Sequence, residues 1–278
     1  MLHYFSNSEH NTVIAVEHQP KNLFSNQMAN SYKKLGVALG GGAAYGAAHI
    51  GVLKAFDEMG IKPEFVAGTS IGAFVAAHYA FGTPIDELEQ IGIDLNWLDV
   101  TGIKLSKLGL LSNERLGKTV LDQLGEVTIQ ESDVPLCMIA TDICTGNKVV
   151  LNEGPLHKAV MASSCLPGIF VPVKWENMLL VDGVLCENVP VSPLREMGAE
   201  DVIAVDLTTN RKYKCPDDII DVLTNTFDIG LNNMISQQLD DEQTLLIQPQ
   251  LTAYNKADTG KSENLIQEGY EAAMEVLS

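Results

Sequence analysis

Short apolar runs alternate with segments of helical periodicity from Leu35 to the end of the chain. The apolar runs are nearly continuous, which is typical of strands that are buried on both faces of a sheet. These predicted strands are 35–39, 65–67, 135–142, 148–151, 178–181, 202–207 and 244–248. The predicted helical segments are 47–59, 73–77, 84–91, 112–124, 155–162, 216–239 and 264–277. Strands and helices that alternate in this way are typical of α/β folds.

The first 33 residues do not share this pattern. They are polar and poorly patterned apart from an alternation at 12–16, and they are predicted to form a peripheral arm with one edge strand. Residues 34–278 are predicted to form a single catalytic domain, because a chain of 278 residues with 46% hydrophobic content can build one large core.

The chain is strongly acidic, with a formal net charge of −18 at pH 7. Nucleic acid is therefore not expected as a partner, because its phosphates attract lysine and arginine. The same charge disfavours electrostatic docking on anionic membranes. No segment approaches the roughly 20 apolar residues that span a bilayer, so membrane contact is expected to be transient and to involve apolar patches.

The N-terminal residues and the cysteines together predict the compartment. The first 30 residues contain no apolar core of the signal-peptide type, which favours a cytoplasmic location. The five cysteines are scattered, odd in number and without a C-x-x-C pair. They are interpreted as reduced thiols, and neither a disulfide framework nor a metal site is expected.

The clearest chemical pattern runs from Val66 to Gly72 and reads V-A-G-T-S-I-G. It places G-x-S-x-G between a predicted strand and a predicted helix, which is the context in which this motif presents a nucleophilic serine. Gly68 and Gly72 remove Cβ atoms where the chain turns sharply, and Ser70 is left exposed above the sheet. The alternative is that Ser70 only caps the helix that follows it.

A glycine-rich loop at residues 40–46 follows the first predicted strand and reads G-G-G-A-A-Y-G. A dinucleotide fingerprint would need a glycine where Tyr45 stands, and a Walker A loop would need a lysine and a hydroxyl after its last glycine. The remaining interpretation is an oxyanion hole, in which glycines let backbone amides approach a developing negative charge. The alternative, a plain turn between strand and helix, needs one glycine rather than three.

A serine nucleophile needs an adjacent base, and two arrangements could supply one to Ser70. A three-residue relay is poorly supported, because the last histidine of the chain is His157. It would have to pair with an earlier carboxylate such as Asp133 or Asp142. Asp182 instead follows a predicted strand, at the edge of an open α/β sheet where ligands bind. A direct Ser70–Asp182 pair is therefore favoured, although Asp-Gly is also common in plain turns.

The glycine-rich loop, the G-x-S-x-G motif and the strand-terminal Asp182-Gly183 together resemble the motifs of the patatin-like phospholipase family, particularly its short bacterial members. The resemblance extends over roughly residues 35–207. It includes the run A-S-S-C-L-P at 162–167, which is similar to the A-S-x-x-x-P block of the family. It implies a three-layer α/β/α sandwich with a mostly parallel central sheet.

The resemblance also implies a reaction, namely hydrolysis of a lipid or other acyl ester through an acyl-Ser70 intermediate. No metal or other cofactor is expected. Asp182 is predicted to take the proton of Ser70, and the amides of Gly41, Gly42 and Ala43 are predicted to hold the oxyanion. The sequence makes no prediction of oligomeric state.

Two positions depart from the family pattern. Tyr45 stands where the family usually has arginine, and Val184 follows Asp182-Gly183 where the family has glycine or alanine. These departures keep an alternative open, in which the chain is a lipid- or acyl-binding regulatory protein that retains the fold and hydrolyses poorly.

Overall fold

The computed structural model describes residues 32–95, 102–103, 108–208, 215–217, 219, 222–223, 225–227, 229–230, 243–254 and 259–278. The strands are β1 Gly36–Leu39, β2 Phe65–Thr69, β3 Gly102–Ile103, β4 Gly109–Ser112, β5 Leu136–Asp142, β6 Lys148–Leu151, β7 Gly168–Phe170, β8 Val173–Trp175, β9 Met178–Asp182, β10 Val202–Val205 and β11 Thr244–Ile247. The helices with described bounds are α1 Ala47–Met59, α2 Ile71–Ala80, α3 Ile85–Asp94, α4 Glu114–Leu124, α5 Leu156–Ser163, α6 Val191–Met197 and α7 Ser262–Leu277. Single 3₁₀ turns lie at Ala43–Gly46, Ile129–Glu131, Gly183–Leu185 and Thr259–Lys261.

The strands form one eight-stranded sheet and one small sheet of β3, β4 and β7. The order in the large sheet is β11-β10-β1-β2-β5-β9-β8, with β6 also paired to β5. The first five strands in this order, β11, β10, β1, β2 and β5, run parallel to one another. Strands β6, β8 and β9 pair in antiparallel fashion, so the parallel part of the sheet ends at β5.

Strand β5 shares one of its edges between two other strands. Its residues 136–139 pair with β2, and residues 138–141 pair with β6. Since residues 138 and 139 pair with both strands, β2 and β6 lie on opposite edges of β5. The same reasoning puts β9, which pairs with residues 140–142, on the edge opposite β6. Strands β2 and β9 therefore follow one another along the same edge of β5.

Because β2 runs parallel to β5 and β9 runs antiparallel, the carboxyl ends of β2 and β9 meet. Thr69, the last residue of β2, lies opposite Ile139. Asp182, the last residue of β9, lies opposite Ala140, which is the next residue of β5. The register of one strand thus brings together the two segments that carry Ser70 and Asp182.

Side chains of the parallel strands alternate between two layers of helices. One set of positions joins the main hydrophobic cluster with α1, α2, α5 and α7, and includes Val37, Val66 and Met138. The intervening positions carry smaller side chains that pack against α6, and include Ala38, Ala67 and Cys137. Helices on both faces of the sheet make the three-layer α/β/α sandwich that the resemblance implied.

Most predicted elements are confirmed to within a few residues. The predicted helix 47–59 has these bounds, and Gly60 ends it with a left-handed φ of 71°. The structure adds β4, β7, β8 and α6, which are too short to give a clear period in the sequence. Residues 1–31 of the predicted arm and much of the predicted helix 216–239 lie outside the described residues. None of the helices that the structure describes is both long enough and apolar enough to span a bilayer.

Candidate active site

Ser70 lies in a sharp turn between β2 and α2, with φ of 56° and ψ of −124°. A positive φ is uncommon for a residue other than glycine, and such strain often occurs at functional sites. The two motif glycines permit the turn, because a Cβ on Gly68 would lie 2.4 Å from the Gly72 oxygen. A Cβ on Gly72 would lie 2.0 Å from the Leu39 oxygen. The turn therefore has the tight strand-to-helix geometry that the sequence predicted.

The Ser70 hydroxyl donates a hydrogen bond of 2.8 Å to Oδ2 of Asp182. The other carboxylate oxygen, Oδ1, accepts from the Val184 amide at 3.0 Å. Asp182 is fully buried, whereas Ser70 is partly exposed. Burial raises the pKa of Asp182 to about 7, against the opposing effect of these two hydrogen bonds. The pair thus combines an accessible hydroxyl with a carboxylate that takes up protons near neutral pH.

The backbone of Asp182 is fixed from both sides. Its N–H donates to the Cys165 carbonyl at 2.8 Å, and its carbonyl accepts from the Thr141 hydroxyl at 3.0 Å. Burial, together with the nearby Asp182 charge, raises the pKa of the Cys165 thiol to about 12. Cys165 is therefore a neutral neighbour of Asp182 at physiological pH.

Ser163, at the end of α5, belongs to the A-S-x-x-x-P block, from which the sequence predicts no particular role for it. Its hydroxyl accepts from the Ser70 N–H at 3.0 Å and donates to the Ile139 carbonyl at 2.6 Å. It therefore ties the serine turn to β5. The adjacent Ser164 is also buried, but its hydroxyl has no hydrogen-bond partner.

The glycine-rich loop leaves the sheet beside Ser70. A Cβ on Gly41 would lie 3.2 Å from the Ser70 Cβ. The Gly41 amide donates to Asn188, at 3.2 Å to Oδ1 and 3.3 Å to the backbone oxygen, so it is engaged rather than free for an oxyanion. Within the described part of the chain, the amides of Gly42 and Ala43 have no acceptor. Ala43 also has a positive φ of 50°, and it opens the 3₁₀ turn.

Of the two departures from the family pattern, Tyr45 lies within this loop and Val184 packs against it. Tyr45 is fully buried in the main core, and its hydroxyl donates to the Tyr254 carbonyl at 2.7 Å. It therefore supplies no positive charge to the site. Val184 is also buried, and its side chain packs against Gly41, where a Cβ would come within 2.7 Å of it.

Among the described residues, the alternative base His157 has no carboxylate partner. Its Nδ1 is buried without a hydrogen-bond partner. The Asp142 carboxylate accepts from the Thr145 hydroxyl and the Cys144 amide and so stabilises the turn after β5. Asp133 lies near Gly82, at the end of the sheet where the parallel strands begin. Among the described residues, no three histidine, cysteine, aspartate or glutamate side chains form a group that could hold a metal ion.

The sequence of residues 37–195, more than half of the chain, matches the patatin-like phospholipase family. The chain belongs to that family. The matched range contains the glycine-rich loop, Ser70, Ser163 and Asp182.

Several known proteins contain a segment that is similar to part of this chain. An uncharacterised NTE family protein of Mycobacterium tuberculosis is 34% identical over 181 residues, which cover 64% of this chain and 50% of that protein. The neuropathy target esterase of Drosophila melanogaster is 32% identical over 62% of this chain and 13% of its own length. A lysophospholipase of Cryptococcus neoformans is 31% identical over 63% of this chain and 11% of its own length. The chain therefore spans half or less of these relatives.

A solved structure supports the fold assignment. VipD from Legionella pneumophila superposes on this patatin-like chain with a TM-score of 0.55 and 14% sequence identity. The match covers 88% of this chain and 66% of VipD. At this level of identity, the likeness shows the α/β fold alone.

Proposed function

We propose that this protein is a serine acyl hydrolase that cleaves lipid esters with a Ser70–Asp182 dyad. The observation that carries the proposal is the 2.8 Å hydrogen bond from the Ser70 hydroxyl to a fully buried carboxylate. A carboxylate whose pKa is about 7 is a stronger base than an ordinary aspartate and is still ionised above neutral pH.

In the first half of the reaction, Ser70 Oγ bonds to the ester carbonyl carbon while its proton passes to Asp182. The carbonyl oxygen becomes an oxyanion, which accepts hydrogen bonds from the Gly42 and Ala43 amides. The positive end of the α2 dipole favours the same charge. The tetrahedral intermediate then breaks its bond to the leaving alcohol, which departs with the proton from Asp182.

In the second half, water attacks the acyl carbon and gives a proton to Asp182. The same amides stabilise the second oxyanion. The bond to Ser70 breaks, the carboxylic acid leaves, and the proton returns from Asp182 to Ser70 Oγ. One residue thus acts first as base and then as acid in each half, which requires a pKa near the working pH.

The substrate class is supported by the family and by two relatives whose names are neuropathy target esterase and lysophospholipase. Those proteins are much longer than this chain, so their activities extend to it only as part of the proposal. Patatin-like membership and the Ser70–Asp182 pair together favour the acyl ester of a lipid as the bond that is cleaved.

The test is hydrolysis of p-nitrophenyl esters of increasing chain length by the wild type, Ser70→Ala and Asp182→Asn. Both variants are expected to lose at least about 10³ in kcat, because each removes a reacting group. Asp206→Asn is the matched control, since Asp206 is also fully buried just beyond a strand but bonds to Thr208 and Gln248. This control is expected to remain active.

The rival proposal is a regulatory protein that binds acyl groups without turnover, which the neutral Tyr45 and the bulky Val184 favour. A fluorophosphonate probe separates the two, because it labels only an activated serine. Labelling that Ser70→Ala abolishes supports the hydrolase. A wild type that neither reacts with the probe nor hydrolyses any ester of the series would instead support the regulatory protein.

A further inference from the structure

The peptide that joins Gly40 to Gly41 has both of its polar groups held by buried side chains. Its carbonyl, on Gly40, accepts a hydrogen bond of 2.7 Å from Nε2 of His49. Its N–H, on Gly41, donates to Oδ1 of Asn188 at 3.2 Å. Because the two groups point in opposite directions, the peptide cannot rotate without breaking both hydrogen bonds. His49 and Asn188 are together called the peptide clamp.

His49 reaches the loop because it is the third residue of α1, and helical side chains lean towards the helix N-terminus. The ring is fully buried, and burial lowers the pKa of His49 to about 4, so it is neutral at physiological pH. A carbonyl can only accept a hydrogen bond, so the single ring proton lies on Nε2. The buried Nδ1 has no partner. His49 is therefore a fixed donor to Gly40 and does not act as the base for Ser70.

Asn188 approaches the same peptide from the segment that follows Asp182. Its amide orientation is fixed, since only Oδ1 can accept the Gly41 N–H. The Nδ2 group is then left buried without an acceptor. An unsatisfied buried donor is costly, which indicates that this side chain is present for its oxygen. A Cβ on Gly41 would lie 2.9 Å from Oδ1 and 3.2 Å from the Ser70 Cβ, so the clamped peptide borders the nucleophile.

We propose that His49 and Asn188 are positioning residues that lock the Gly40–Gly41 peptide and thereby orient the Gly42 and Ala43 amides for the oxyanion. Consecutive glycines have the greatest backbone freedom of any residues, whereas an oxyanion hole works only if its donors are fixed beforehand. The Gly41 amide is used for the clamp, so the hole consists of the two amides that follow it. This inference rests on the proposed hydrolase function.

The test measures two quantities on each variant: the kinetic constants for a p-nitrophenyl ester, and the inhibition constant of an alkyl trifluoromethyl ketone. Such a ketone adds Ser70 Oγ to its carbonyl carbon and becomes a hemiketal whose oxyanion mimics the transition state. His49→Leu removes the donor to Gly40, and His49→Gln restores an N–H donor. Asn188→Ala removes the side-chain acceptor but keeps the backbone one.

For His49→Leu we expect kcat to fall between about tenfold and a hundredfold with KM within about twofold, since the loss of a whole oxyanion donor typically costs about 10²–10³. The ketone should weaken by the same factor as kcat/KM. His49→Gln should recover most of both losses. Asn188→Ala should show the same proportionality with a smaller, several-fold effect.

His78→Leu is the matched control, because His78 is a second fully buried histidine in the same layer of helices. It lies in the last turn of α2, and its Nδ1 is hydrogen bonded to the Thr83 hydroxyl rather than to the loop. The melting temperature should fall in both His→Leu variants, but kcat and ketone affinity should fall only for His49→Leu.

The proposed positioning role is wrong if His49→Leu and Asn188→Ala have the same kcat as His78→Leu. It is also wrong if the affinity for the ketone stays constant while kcat falls. If His49→Leu does not fold, His49→Gln and Asn188→Ala decide by the same proportionality. Failure of the proposed function looks different, because then the wild type itself would neither hydrolyse the ester nor bind the ketone. That outcome would overturn the clamp as well.

Discussion

The two edges of the central sheet carry very different surfaces. At the carboxyl ends of β2 and β9, Ser70 is partly exposed and Asp182 is fully buried, and both are held by several hydrogen bonds. At the opposite end of the sheet, where the parallel strands β2 and β5 begin, lies an open groove of about 550 Å³. This end is called the amino edge, and the end at which the parallel strands finish is called the carboxyl edge. It is lined by Leu53, Phe56, Asp57, Tyr79, Pro84 and Val134, among others.

The comparison shows that the volume of a concave surface does not by itself indicate chemistry. The charged side chains of the amino-edge groove, Asp57, Lys62 and Asp86, are exposed, so water screens them. At the carboxyl edge, burial has changed the pKa of a carboxylate and the chain accepts strained backbone at Ser70 and Ala43. Shifted pKa values and strain of this kind are typical of functional sites.

Of the effects that distinguish the end of the sheet with Ser70 and Asp182 from the end with the open groove, the pH dependence of ester hydrolysis is expected to be the largest. Only ionised Asp182 can accept the Ser70 proton, and its pKa is raised to about 7. We therefore expect kcat/KM to fall about tenfold per pH unit well below that pKa, or roughly fiftyfold from pH 7 to pH 5, since the group is half ionised at pH 7. The measurement is a pH–rate profile with a neutral, water-soluble ester.

Protonation of Asp182 does not itself destabilise the folded protein. The folded-state pKa of Asp182 is higher than the unfolded-state value of about 4, so the folded protein binds this proton more tightly. The contribution of Asp182 to stability is therefore most favourable below pH 4 and declines as pH rises towards 7. A melting temperature recorded at each pH provides the control, and a flat rate profile from pH 5 to pH 8 would rule out Asp182 as the titrating base.

A smaller effect is expected from the two adjacent buried serines at the end of α5. Ser163→Ala leaves the Ser70 N–H without its acceptor, so the proposed nucleophile loses a constraint and kcat should fall about tenfold. Ser164→Ala removes a hydroxyl that has no partner, so it should leave kcat unchanged and the melting temperature equal or higher. Steady-state kinetics and thermal melts on both variants make the comparison.

Ser163→Thr keeps the hydroxyl and should restore most of the activity lost in Ser163→Ala. Equal losses in Ser163→Ala and Ser164→Ala would mean that this segment acts only through packing.

The smallest effect is expected at the amino-edge groove. Tyr79→Phe removes a hydroxyl and Asp57→Asn removes a charge with little change of side-chain size, and neither residue contacts Ser70 or Asp182. Ester hydrolysis should stay within about twofold of the wild type, as is usual for substitutions away from the special sites of a protein. A loss of tenfold or more at an unchanged melting temperature would show that the amino-edge groove contributes to ester hydrolysis, which would contradict the difference described above.

The sequence alone determined the parts that depend on local pattern. The G-x-S-x-G motif lies between strand and helix, as its glycines predicted, because Gly68 and Gly72 allow approaches that no Cβ would permit. The helix 47–59 and its Gly60 end also follow from local periodicity and capping. These features rest on interactions between residues close in sequence, which a single sequence displays directly.

The meeting of Ser70 with Asp182 was decided by the tertiary structure. The sequence predicted that Asp182 ends a strand at the carboxyl edge of the sheet. Strand β9, however, is antiparallel to β5, so it runs towards the end of the sheet at which the parallel strands begin. The two residues meet because β2 and β9 share one edge of β5 and end opposite neighbouring residues. Register between strands far apart in sequence leaves no local pattern.

The peptide clamp and the role of Ser163 likewise required the fold. His49 has the apolar helical surroundings of an ordinary core histidine, and Asn188 has no motif that separates it from a loop residue. Their hydrogen bonds to Gly40 and Gly41 join positions up to 147 residues apart. Local residue types therefore predicted which groups are candidates for the chemistry, and the packing of distant segments decided which other groups contact them.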